Sequence, residues 1–79
     1  MGTALLSELT THNQDAVITE LELEDSVKEC LFDYGFVPGT PISFLAKAPF
    51  GGPISFRLRD SKIAIRHDIA AKIHIQFLS

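Results

Sequence analysis

Hydrophobic and polar residues alternate along five stretches of the chain, and this period of two is typical of half-buried β-strands. The predicted strands are Ala16–Leu23, Pro41–Ala48, Ile54–Arg59, Lys62–Arg66 and Ile73–Phe77. In the first strand the alternation places Val17, Thr19, Leu21 and Leu23 on one face and Ile18, Glu20 and Glu22 mostly on the outer one. In the later strands Ile54, Phe56 and Leu58 are expected to face inward and His74 outward. Before it, Thr3–Leu9 is assigned one helical turn and the polar Thr10–Asp15 is predicted to be a loop. The pattern therefore predicts a mainly β protein of about five short strands.

A helical spacing of apolar residues interrupts the alternation after the first predicted strand. The stripe consists of Val27, Cys30, Leu31 and Tyr34. Asp25 is expected to cap this helix through its carboxylate, and Gly35 is expected to end it in the left-handed conformation. These signals predict one short helix over Ser26–Tyr34, inserted after the first strand. A second helical turn is predicted over Asp68–Lys72.

Pro49, Phe50, Gly51, Gly52 and Pro53 connect two predicted strands and form the candidate partner-binding segment. Gly51 and Gly52 are expected to supply the positive φ angles of a tight hairpin. Phe50 lies at the predicted tip, where an aromatic side chain can act as a binding anchor. The alternative is that Phe50 folds back and covers one end of a barrel. The sequence leaves both positions of the Phe50 side chain open.

The chain of 79 residues is long enough for one domain, assigned to residues 1–79. About five strands with one helix predict a small closed or nearly closed barrel, which leaves little room for a deep substrate pocket. No apolar run approaches the roughly 20 residues of a membrane span, and no secretory signal pattern is recognised. Cys30 is the only cysteine, which fits a reducing compartment. The sequence therefore predicts a cytoplasmic protein.

No constellation of residues predicts catalysis, a cofactor or a metal site. The candidate ligands His12, His67, His74 and Cys30 are scattered, and no pair has the spacing of a helical metal site. Cys30 lies on the apolar stripe between acidic residues, which predicts an inert, partly buried thiol. Tight binding of ferrous iron is not expected from this placement.

Charge is distributed unevenly along the chain, whose net charge is −3. Residues 1–33 carry most of the acids, and the second half carries most of the bases, including Arg57, Arg59, Lys62 and Arg66. These four could line one basic surface, but the aromatic residues of the predicted strands alternate inward, so a stacking platform for bases is not evident. Nucleic acid is therefore not the expected partner, and we expect the two halves to interleave in space.

Three ordered motifs resemble the FeoA family of the bacterial ferrous iron transport system. They are Leu-x-x-x-Gly-Phe-x-Pro-Gly-Thr from Leu31, Ala-Pro-x-Gly-Gly-Pro from Ala48, and Ile65-Arg66 followed by Ala70 and Ile73. The resemblance extends from about Leu5 to Phe77. It implies an SH3-like barrel and a non-enzymatic accessory role, with docking on the cytoplasmic part of the FeoB membrane transporter.

Two other functions remain open from the sequence. The same barrel is similar to the C-terminal domain of iron-dependent repressors, which implies a metal-responsive regulatory module. A small nucleic-acid-binding barrel is the third hypothesis, and weak self-association is compatible with all three. A salt-dependent interaction with RNA or DNA separates the third hypothesis from the others.

Overall fold

The strands of the protein form one antiparallel sheet in the computed structural model, which describes residues 2–12 and 14–78. In that part of the chain they are β1 (Thr3–Leu5), β2 (Asp15–Leu21), β3 (Pro41–Lys47), β4 (Ile54–Arg57), β5 (Lys62–Ile65) and β6 (Ile73–Phe77). Their order across the sheet is β1-β6-β2-β3-β4-β5. The main helix, α1, is Asp25–Asp33, and a short helix, α2, is His67–Ala70. The predicted mainly β fold with one helix after an early strand is confirmed.

The beginning of the chain contains one strand more than the sequence pattern predicts. Thr3–Leu5 pairs with β6, and only Leu6–Glu8 forms a helical turn, of the 3₁₀ type. The prediction of a single turn over Thr3–Leu9 is therefore wrong for its first half. Three residues are too few for the alternation to reveal a strand, and the partner strand lies about 70 residues away in sequence. The predicted loop Thr10–Asp15 includes Asn13, which lies outside the described residues.

Two interruptions of regular pairing decide which side chains face the core. The register of β2 against β6 shifts between Ile18 and Glu20, and that of β3 against β4 shifts between Phe44 and Ala46. Each is a β-bulge, where an extra residue reverses the alternation beyond it. In β2, Ala16 and Ile18 are buried before the bulge and Leu21 after it. The predicted face containing Val17 and Thr19 is therefore wrong.

The end of α1 follows the predicted chemistry closely. Gly35 has a φ of 99°, as expected for a left-handed terminating residue. Its N–H donates to the Phe32 carbonyl at 3.0 Å, and the Phe36 N–H donates to the Leu31 carbonyl at 3.0 Å. These two bonds form a Schellman motif, and Phe36 and Leu31 both join the core beneath it. The motif turns the chain sharply toward β3.

The other end of α1 differs from the prediction. The helix begins at Asp25 itself, so Glu24 occupies the capping position and makes no side-chain capping bond. Asp25 instead places its negative charge in the first turn, where it interacts favourably with the positive end of the helix dipole. Cys30 is exposed, so the predicted partly buried thiol is also wrong. The apolar stripe is narrower than its spacing suggested, because Leu31 is the only buried residue of this helix.

The core lies on one face of the sheet, under the helical segments. Its buried apolar residues are Leu6, Leu9, Ala16, Ile18, Leu21, Leu31, Phe36, Ile42, Phe44, Ile54, Phe56, Leu58, Ile65, Ala70, Ile73 and Ile75. Every strand except β1 contributes at least one buried side chain to this set. The inward positions predicted for Ile54, Phe56 and Leu58 are confirmed. Loops and the outer sheet face are thus the surfaces left for function.

Candidate functional site

The hairpin Pro49–Pro53 joins β3 to β4 through a turn with two left-handed residues. Phe50 has a φ of 61° and Gly51 a φ of 72°, as the central pair of a type I′ turn requires. The Gly52 N–H closes the turn on the Pro49 carbonyl at 3.2 Å, and the Ala48 N–H donates to the Pro53 carbonyl at 3.0 Å. The loop is therefore a compact, hydrogen-bonded projection.

One of the two glycines of this hairpin has a different role from the one predicted. Gly51 supplies positive φ, but Gly52 does not, and Phe50 takes the other left-handed position. Gly52 is needed for space, because a Cβ there would lie 2.9 Å from the Ala48 Cβ and 3.2 Å from the Pro49 carbonyl oxygen. The predicted pair of left-handed glycines is wrong by one residue. The backbone strain falls on an aromatic residue, a type that rarely adopts this conformation.

Phe50 is fully exposed, at 103% of its reference surface. It is the only residue other than glycine with positive φ in the described part of the chain. The hypothesis that Phe50 folds back as a barrel lid is therefore wrong for this conformation. An aromatic side chain held in water by a strained turn contributes little to folding, and such outliers are often associated with function.

The base of the hairpin lies beside the start of α2. A shallow cleft of about 510 Å³ separates the two, lined by Gly51, Gly52, Pro53, Arg66, His67 and Asp68. Within it, Arg66 Nη2 lies 3.1 Å from Asp68 Oδ2, and both side chains are largely exposed. The hairpin therefore presents an aromatic tip next to polar, solvent-accessible groups, which is the usual composition of a binding anchor with a polar rim.

The histidines do not gather into one site. His12 donates from Nε2 to the Leu45 carbonyl at 2.8 Å, and its ring lies 5.0 Å from the Phe44 ring. His67 is exposed at the start of α2, and His74 lies on β6 with a hydrogen bond to Glu22. Their scattered placement agrees with the sequence-based view of the histidines. Among the described residues, only His74 belongs to a group of three or more side chains that could hold a metal ion.

The cluster around His74 was missed by sequence reasoning. One ligand atom each from Glu20, Glu22 and His74 lie within 4.8 Å of one another. The outward positions predicted for all three are correct, but strand pairing across more than 50 residues brings them together. Knowing that β2 and β6 are neighbours would have revealed the cluster, because His74 is paired with Glu20.

The predicted basic surface is assembled only in part. Arg57 pairs directly with Lys62 across β4 and β5, and both are exposed. Arg66 lies beyond the opposite end of β5, where it binds Asp68. Phe44 and Phe56 are buried, so the strand aromatics offer no stacking surface for bases. This geometry does not favour a nucleic-acid interface.

The described helices include none that is long and apolar enough to cross a membrane.

Comparison with known proteins gives a consistent result along nearly the whole chain. The family model of the FeoA domain matches residues 5–76. A curated relative, the Fe(2+) transport protein A/Fe(2+) transporter FeoB fusion protein of Porphyromonas gingivalis, is 35% identical over 74 residues. This match covers 94% of the chain and 9% of the relative, so the chain spans less than a tenth of the relative's length.

Solved structures confirm the predicted architecture. The solution structure of iron(II) transport protein A from Clostridium thermocellum is 32% identical, with a TM-score of 0.86, and the match covers 95% of this chain and 46% of that one. FeoA of Stenotrophomonas maltophilia in complex with zinc, described as an SH3 domain protein, is 28% identical with a TM-score of 0.76. That match covers 92% of this chain and 89% of the other, which confirms the SH3-like fold.

Proposed function

Because this chain belongs to the FeoA family, we propose that it is a non-enzymatic accessory protein of ferrous iron uptake. It acts in the cytoplasm, where it docks on the cytoplasmic part of a FeoB-type transporter and modulates transport. The family is linked to ferrous iron transport through the fusion protein, in which the two parts form one polypeptide. The fusion is the observation that carries the proposal.

Fusion has a physical meaning for binding. Two domains on one chain meet at an effective concentration in the millimolar range, so a weak contact between them is populated without further cost. Selection for such a fusion is expected where the two parts work together. A chain that acts separately has to supply the same contact by ordinary association. This reasoning supports a modest, specific interface with a FeoB-type partner.

The hairpin Pro49–Pro53 is the proposed contact. Phe50 offers a fully exposed aromatic ring, the type of side chain that forms binding hot spots when it enters a pocket. Pro49 and Pro53 restrict the loop, and the two hydrogen bonds described above hold its turn closed. A loop that is already ordered loses little conformational entropy on docking, so a small contact area can still give useful affinity.

A pull-down against the intact transporter tests the proposal. Immobilised protein is expected to retain the FeoB-type transporter, and the Phe50→Ala variant is expected to retain much less. The experiment is run with and without guanine nucleotide, so that a state-dependent interaction is not missed. If the unaltered protein fails to retain the transporter both with and without guanine nucleotide, the result would contradict the proposed docking.

A further inference from the structure

We propose that Glu20, Glu22 and His74 form a binding site for a divalent first-row transition-metal cation such as Zn²⁺. The site lies on the outer face of the sheet, where β2 and β6 pair, and not in the hairpin Pro49–Pro53. It is independent of the proposed docking function, because none of its three residues belongs to that hairpin.

The bulge in β2 creates this arrangement. Ile18 pairs with Ile75 and Glu20 pairs with His74, so two steps along β2 match one step along β6. Without the extra residue, Glu20 would lie opposite Ile73, which is buried in the core. The bulge therefore rotates Glu20 outward, directly opposite His74. Bulges commonly re-aim a side chain in this way beside functional sites.

Glu22 supplies the third side chain of the site, from the residues that directly follow β2. It lies two residues after Glu20, and its N–H donates to the Lys72 carbonyl at 2.8 Å, which continues the pairing of the two strands past the end of β2. Its side chain crosses diagonally to His74, where His74 Nε2 and Glu22 Oε1 are hydrogen-bonded. The three donors thus project from hydrogen-bonded backbone on two neighbouring strands. Rigid elements hold ligands in place better than loops do.

The donor chemistry fits a borderline cation. Two carboxylate oxygens and one imidazole nitrogen suit Zn²⁺, Co²⁺, Mn²⁺ and Fe²⁺, whereas Mg²⁺ and Ca²⁺ prefer oxygen alone. A cation also offsets the repulsion between the two neighbouring carboxylates, and it replaces the proton in the His74–Glu22 hydrogen bond. Three protein ligands leave further positions for water, so the site is open.

Partial exposure limits the expected affinity. The His74 side chain is 36% exposed and that of Glu22 is 58% exposed, so water competes for the ion and no buried cage surrounds it. The order of stability among first-row ions places Fe²⁺ below Co²⁺ and Zn²⁺ for such ligands. Zn²⁺ is therefore expected to bind more tightly than Fe²⁺. The absence of tight iron binding predicted from the sequence is compatible with this site.

The test is a calorimetric titration with Zn²⁺ near neutral pH in a buffer that does not bind the ion. The full chain carries Cys30→Ser throughout, because the exposed thiol could itself bind zinc. One saturable equivalent is expected. His74→Gln, Glu22→Gln and Glu20→Gln are each expected to weaken binding by at least about tenfold.

Matched controls remove the same side-chain types elsewhere. His67→Gln and Glu24→Gln alter exposed residues outside the cluster and are expected to leave the affinity unchanged. Binding that is equally strong in His74→Gln and in its parent, or no saturable binding up to about 1 mM Zn²⁺, overturns the proposal. A lack of saturable Zn²⁺ binding would mean that the side chains of Glu20, Glu22 and His74 interact only with one another at the surface.

A measurement on the parent protein keeps the test valid if a variant fails to fold. Mn²⁺ is added at substoichiometric amounts, and its paramagnetic broadening of backbone NMR signals is mapped along the chain. Signals of Glu20, Glu22 and His74 are expected to broaden first, while those of Phe50 and Gly51 stay sharp. Broadening centred on any other region overturns the assignment.

Discussion

Gly35 is a single residue on which the path from α1 to β3 depends. Its φ of 99° is a conformation that residues with a Cβ rarely adopt, and an added Cβ would lie 3.4 Å from Leu58 Cδ1. Gly35→Val is therefore expected to lower the free energy of unfolding by at least about 1 kcal/mol. Chemical denaturation measures this directly. An unchanged midpoint would show that the left-handed conformation at Gly35 contributes nothing to stability.

Phe50 offers a way to separate stability from function at one position. Asparagine tolerates the left-handed region far better than phenylalanine does, so Phe50→Asn is expected to stabilise the protein by about 0.5–1 kcal/mol. Phe50→Ala is the matched control. It removes the ring without gaining that preference, so its melting temperature is expected to stay close to that of the unaltered protein.

Both substitutions are nevertheless expected to weaken docking on the transporter. A residue that can be replaced with a gain in stability and a loss of binding is retained for binding. If Phe50→Asn lowers the melting temperature, the positive φ at Phe50 is not a source of strain, and the argument from strain fails.

Residue-scale prediction succeeded where a residue has one dominant property. The left-handed Gly35 follows from local turn chemistry, and the structure confirms it. For Phe50 the sequence left an exposed and a folded-back side chain open, and the structure shows the exposed one. The exact turn did not follow. The sequence favours Gly51 and Gly52 as the left-handed pair, but the turn places Phe50 and Gly51 in those positions.

At the scale of elements, His12 forms a hydrogen bond with a backbone carbonyl that the bulge in β3 leaves free of the strand ladder. The shift between Phe44 and Ala46 interrupts the ladder at Leu45, and the Leu45 carbonyl accepts from His12 instead. His12→Ala removes this bond and the ring contact with Phe44. We expect a loss of about 0.5–1 kcal/mol in the free energy of unfolding, at the low end for a hydrogen bond because His12 is exposed.

His67→Ala is the matched control for this prediction. His67 is also an exposed histidine, so its removal is expected to change the unfolding free energy by less than about 0.5 kcal/mol. Equal effects of the two substitutions would mean that the His12–Leu45 bond makes no net contribution. Thermal and chemical denaturation of both variants give the comparison.

Bulges within strands explain why the buried face was predicted correctly for some strands and not for others. Ile54, Phe56 and Leu58 follow strict alternation, and their burial was predicted correctly. In β2, the alternation reverses at the bulge after Ile18, and nothing in the local sequence marks it. Side-chain period alone cannot locate an inserted residue, because a one-residue shift exchanges the two faces.

At the scale of the molecule, strand order brings distant parts of the chain together. β6 lies between β1 and β2, so the last strand pairs with the first two. β6 has no Asp, Glu, Lys or Arg, and Arg57 and Lys62 lie on β4 and β5, so this order does not test whether the charges of the two halves interleave. The Glu20–Glu22–His74 cluster is a product of that order, and sequence reasoning missed it because the pairing partner of each strand is a long-range property.

A titration with ferrous iron tests whether the protein as a whole binds iron tightly. Anaerobic titration is expected to find no stoichiometric site with a micromolar or smaller dissociation constant, because the donors form only one open, partly exposed set in the described structure. A tight ferrous site would favour the metal-responsive regulatory function over simple docking.

The central claim is that the hairpin tip anchors the protein on a FeoB-type transporter. The most direct measurement is the dissociation constant for the purified intact transporter, compared between the unaltered protein, Phe50→Ala and Tyr34→Ala. Tyr34 is the control because it is another exposed aromatic residue, 58% exposed, at the end of α1. Phe50→Ala is predicted to cost about 1–3 kcal/mol of binding free energy, and Tyr34→Ala is predicted to change affinity by less than about twofold. Equal affinity of Phe50→Ala and the unaltered protein would contradict the account.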